Sequence, residues 1–83
     1  MSEASLPAAP DPQTRMNTQF HQIVSSLLLN AERDVRLARA DGDRALADKA
    51  KARLDTLRAA LEIYAASYLV AHGVRPWPRP AHP

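Results

Sequence analysis

All seven prolines lie before residue 13 or after residue 75, and the only glycines between them are Gly42, near the middle, and Gly73, near the end. A stretch so free of breakers excludes a turn-rich β domain and a fold built on glycine loops. It leaves two long helices meeting at Asp41-Gly42-Asp43. Gly42 can take the left-handed conformation that ends one helix, and Asp43 can cap the next. A connection this short folds the helices back antiparallel.

The spacing predicts a first helix over about 12–40. Asp11 supplies a capping carboxylate and Pro12 is tolerated at the first helical position, with Thr14 a competing cap. At ~100° per residue, Met16, Phe20, Ile23, Val24, Leu27, Leu28, Ala31, Val35 and Ala38 fall within an arc of ~140°. Thr18, Gln22, Ser25, Ser26, Glu32, Arg33 and Arg36 face the other way, while Leu29 and Leu37 miss the apolar arc.

A second helix is expected over about 44–72, and it divides into sevens. Ala47, Ala50, Leu54, Leu57, Leu61, Tyr64, Tyr68 and Ala71 alternate at spacings of three and four, the seam of left-handed helix packing. Ala45, Ala52, Ala59 and Ala66 recur every seven residues on nearly the opposite side, joined by Ile63 and Val70. Arg44, Lys51 and Arg58 each precede an acid by four residues, predicting i,i+4 pairs worth ~0.2–0.5 kcal/mol apiece. Folding about Gly42 opposes residues whose numbers sum to about 84. Phe20 is thus expected near Tyr64, Met16 near Tyr68, Leu27 near Leu57 and Val35 near Ala50.

The flanks read differently. Residues 1–11 are Ala, Pro, Ser and acid without periodicity, and are expected to form a disordered arm. Residues 74–83 contain Pro76, Pro78 and Pro80 at every second position, which predicts an extended, polyproline-like tail.

Hydrophobic residues are 46% of the chain, but sixteen residues are alanine, so one hairpin seam buries little for its size. The expected fold is therefore all-α: an antiparallel, coiled-coil-like two-helix hairpin paired as a homodimeric four-helix bundle. Leu29, Ala52, Ala59, Ile63, Ala66 and Val70 are the candidate self-association residues.

Catalytic chemistry finds little to work with. Cysteine is absent, which removes disulfides, thiolate metal sites and Cys nucleophiles. Of the three histidines, His21 lies at the edge of the apolar arc and His72 in the last turn of the second helix, where a cation suits the helix dipole. Paired numbering sets those two ~13 Å apart, too far for one hairpin to share a metal between them. Asp48, Asp55 and Glu62 form a row with basic neighbours, a solvated charge face and not a general acid–base pair. No nucleotide-binding motif is present. The chain is expected to be no enzyme and to need no cofactor.

Net charge is only +2. Acids interleave with the bases between residues 33 and 58, so a salt-bridged surface is favoured over a phosphate-binding stripe. If nucleic acid binds, Arg33, Arg36 and Arg39 are the candidate contacts. No apolar run of spanning length exists, and the start lacks the basic and apolar regions of a secretory signal, which makes the cytoplasm the expected compartment.

Trp77 supports two readings. It can fold back onto Phe20, Tyr64 and Tyr68, or stand exposed between Arg75 and Arg79 as a partner-binding anchor. The basic neighbours favour the anchor, since a segment meant only for burial has no need of them. Arg75, Trp77 and Arg79 are therefore the candidate partner-binding residues.

Two equal helices joined by Asp-Gly-Asp resemble the architecture of plasmid Rop-type RNA-binding hairpins, a likeness of architecture with no shared residue motif. The expected function is a small non-catalytic regulator or adaptor that binds a partner protein stoichiometrically, as an inhibitor from a phage or mobile element would. The alternative is a Rop-like dimeric regulator that binds RNA or DNA.

Overall fold

The computed structural model describes residues 11–78. Within them α1 (Pro12–Ala40) and α2 (Arg44–His72) pack against each other as an antiparallel hairpin. Asp11 caps α1, as the Asp11-Pro12 pair predicts. It has extended backbone, and its carboxylate accepts the Thr14 backbone N–H at 2.7 Å. The rest of the expected N-terminal arm, together with Arg79 and His82, lies outside the described residues.

The turn is built by local hydrogen bonding. Gly42 takes φ 74°, and its N–H donates to the Arg39 carbonyl at 3.1 Å while the Asp43 N–H donates to Ala38 at 2.9 Å. These two bonds form a Schellman motif that satisfies carbonyls the ended helix leaves open. Asp43 then accepts the Leu46 N–H at 3.0 Å, so α2 starts capped three residues after α1 stops. Gly73 (φ 77°) ends α2, its N–H donating to the Leu69 carbonyl at 2.8 Å.

The core sits nearer the closed end. Ala31 and Val35 of α1 pack with Ala50 and Leu54 of α2, with Leu28 and Leu57 against them. Ala38 and Ala47 are buried beside the turn. Alanines there let the two backbones approach closely, which suits a tight connection.

Toward the open end the seam changes character. Phe20 stacks on Tyr64 with ring centroids 4.7 Å apart. Asn17 is buried at 2% exposure, and its side-chain oxygen accepts hydrogen bonds from Gln13 (3.3 Å) and from the Tyr64 hydroxyl. Met16, expected in this seam opposite Tyr68, is instead 50% exposed, and Ile23 is 58% exposed. A ~140° apolar arc is wider than one neighbouring helix covers, so the edge of the arc stays outside. Tyr68 stacks on Tyr64 and His72, and Ala71, the last seam position, is exposed.

Candidate functional site

The described residues carry most of their charged side chains on exposed surface. Among them no group of three His, Asp or Glu side chains stands close enough to hold a metal ion. His21 packs against Trp77 at 4.7 Å and His72 against Tyr68 at 4.1 Å, so each has an aromatic neighbour. Neither described helix is long and apolar enough to cross a membrane.

The two sides of the hairpin differ. One is charged: Arg58 of α2 reaches Glu32 of α1 at 3.3 Å, and Lys51 pairs with Asp55 at 3.0 Å. Lys51–Asp55 is one of the three expected i,i+4 pairs. Arg58 departs from that pattern, pairing across the helices with Glu32 and not along α2 with Glu62. Both pairs are more than a third exposed and contribute little to stability.

The other side is apolar. Met16, Ile23 and Leu37 recur at multiples of seven along α1, which places them on one edge beside the seam. Leu37 lies with Asp34, Ala38 and Asp41 around a hollow of about 370 Å³ whose other wall is Leu46, Lys49, Ala50 and Arg53 of α2. Leu46, Arg53 and Ala60 continue this edge at intervals of seven along α2. Leu37 and Leu46 are 57% and 52% exposed, although either could have entered the core as leucine. Carboxylates at Asp34 and Asp41 and bases at Lys49 and Arg53 ring an apolar floor.

The candidate self-association residues are divided by this geometry. Ile63 and Val70 are exposed at the outer margin of α2, and Ala52 and Ala66 are exposed behind them, with Ala59 half-buried. Leu29 is exposed but lies ~160° around α1 from buried Ala31, on the back of the other helix. The backs of two packed helices point apart, so Leu29 does not share a surface with the other five. Leu37, Leu46, Met16 and Ile23 lie outside that set of six and are exposed as well. Their seven-residue recurrence is the signal the sequence holds for them, and it joins into one edge only when the two helices are set side by side.

Trp77 is half-buried over the open end, its ring 6.3 Å from Phe20, 5.7 Å from Tyr64 and 4.7 Å from His21. This is the folded-back placement and corrects the exposed-anchor reading of its ring. Arg75 remains exposed, and its Nε donates to the Trp77 carbonyl at 3.4 Å, bracing the turn of the tail.

Arg33, Arg36 and Arg39 are all exposed. Successive steps of three drift ~60° around the helix, so the three wind across its surface and form no straight basic ridge. Arg33 also lies 3.9 Å from Asp34. No protein-family model, curated protein or solved structure matches this chain.

Proposed function

We propose that this chain is a non-catalytic protein-binding regulator or adaptor that works by stoichiometric occupation of protein surface, a second copy of itself included. The observation that carries the reading is the exposed apolar side chain count on so small a body. Met16, Ile23, Leu29, Leu37, Leu46, Ile63, Leu69, Val70 and Val74 are all 41% or more exposed, whereas among the described residues the buried hydrophobic core is four alanines, two valines and one leucine. Scattered exposed apolar residues are ordinary on a protein surface, but Met16, Ile23, Leu37 and Leu46 share one edge of the hairpin, and such a grouping marks an interaction site.

The test is capture by the tagged full chain in nuclease-treated extract, beside the exposed-residue variants Ile23→Asp and Val70→Asp. Under the proposal, the same proteins bind in stoichiometric amount, resist added salt, and are lost with one of the two variants. Capture abolished by nuclease, or falling steeply as salt rises, would replace this reading with the phosphate-binding one.

A further inference from the structure

Resting on the self-association part of that reading, we infer that the apolar side of the hairpin is covered by a second copy whose closed end lies beside the closed end of the first. The two copies are related by a two-fold axis parallel to the helices.

The side divides into three levels along its length, placed at ~1.5 Å per residue from the turn. Leu37 and Leu46 lie nearest the turn, at about 6–8 Å. Asn30 and Arg53 follow at about 17–18 Å, and both are exposed and polar. Ile23, Ala60 and Ile63 come next at about 27–32 Å, with Met16 beyond them. The order is therefore apolar, polar, apolar, with the polar level off-centre.

That asymmetry decides the orientation. A two-fold parallel to the helices lays each level on its own copy: leucines on leucines, Asn30 on Arg53, Ile23 on Ala60 and Ile63. An end-for-end pairing of full length brings Asn30 and Arg53 onto Ile23 and Ile63, burying a guanidinium against apolar side chains without a partner, which is costly. Charge points the same way. Asp34 lines the α1 wall of the hollow at about 12 Å from the turn, and Lys49 lines the α2 wall at about 10–11 Å. The parallel axis sets α1 of one copy against α2 of the other, so acid meets base. End-for-end pairing instead sets α1 against α1, with no such match.

The area is adequate. A two-helix side ~43 Å long and ~18 Å wide gives roughly 750 Å² per copy, or about 1,500 Å² for the pair, within the range of stable specific interfaces. The opposite side suits the role less well, because the Glu32–Arg58 and Lys51–Asp55 pairs occupy it and Trp77 covers its open end against His21.

Light scattering and spin-label distances on the full chain test both parts. The chain has no cysteine, so Arg39→Cys, exposed near the turn, carries a single label per copy. Under the inference the mass is twice 9.1 kDa. The label-to-label distance should then be about 20–30 Å, set by bundle width alone. A dimer with labels beyond about 40 Å overturns the shared orientation and leaves self-association standing. A monomer at micromolar concentration overturns both. Leu37→Asp and Leu46→Asp should each return the mass to 9.1 kDa with helical circular dichroism retained, whereas Glu32→Ala should leave the dimer intact. Dissociation by Glu32→Ala in place of the leucine variants would assign the interface to the charged side.

Discussion

The Tyr64 hydroxyl on α2 donates a hydrogen bond to the Asn17 carboxamide oxygen on α1, and this is the one polar side-chain bond made across the seam by a buried residue of the described chain. Gln13 donates to the same Asn17 oxygen and to the Tyr64 oxygen, each at 3.3 Å, closing a three-membered network. A buried amide in an otherwise apolar seam favours the one register in which it is satisfied, the role best attested for seam asparagines in coiled coils.

Removing one member of that network should cost more than removing both. Tyr64→Phe is expected to lower stability by about 0.5–1.5 kcal/mol, and Asn17→Ala by about 1–3 kcal/mol, since it leaves the phenol short of its acceptor and opens space. The pair Asn17→Leu with Tyr64→Phe should recover most of the loss. Urea denaturation of the parent, Tyr64→Phe, Asn17→Leu and the double variant at one concentration closes the cycle, and strict additivity would show that the network is not coupled.

Leu54 should be the most costly leucine to truncate. It is 8% exposed and belongs to the central cluster, so Leu54→Ala is expected to cost about 2–5 kcal/mol. Leu57 and Leu61, equal to it in the seven-residue pattern, are only half-buried and should cost less. Leu29→Ala, on the outer side of α1, should be near neutral. Thermal melts at fixed chain concentration rank all four.

Trp77 should report the folded-back tail. Packed on Phe20, Tyr64 and His21, its emission is expected to be blue-shifted in the native protein and to move red on unfolding. Trp77→Ala and truncation after Val74 should lower the melting temperature by similar amounts, since aromatic pairs contribute about 0.5–1.5 kcal/mol each beyond the area they bury. Solvent-like emission from the folded chain would show a detached tail.

Acid should loosen the first turn of α1. The Thr14 backbone N–H, with its side chain assisting, holds the Asp11 carboxyl below the ordinary carboxylate value. A depressed folded-state value means the cap is at full strength above the usual aspartate range and is lost as pH falls through and below it. Amide exchange at Thr14 and Arg15 is expected to quicken over that window. Asp11→Asn, which still caps but does not titrate there, should flatten the dependence.

Helix ends are legible in the chain because capping is local. Asp11-Pro12, Asp41-Gly42-Asp43 and Gly73 each act through residues no more than five positions away, and no other part of the molecule needs to be known. The Phe20–Tyr64 stack follows from the turn alone, since a short antiparallel connection sets which residues face each other. Periodicity likewise marks the α2 seam, where apolar residues and heptad positions coincide. Only the packed structure decides which residues of the wide α1 arc are buried. Asn17 enters and Met16 and Ile23 stay out, because burial depends on where the second helix lies across the arc and a wheel of one helix does not contain that direction. The same holds for Arg58, whose partner Glu32 is 26 residues away, and for Trp77, which the composition of its segment leaves equally free to extend or to stack. Leu37 and Leu46 are the sharpest instance. Each looks misplaced on its own helix, and only when the helices are set side by side do the two become neighbours on one apolar edge.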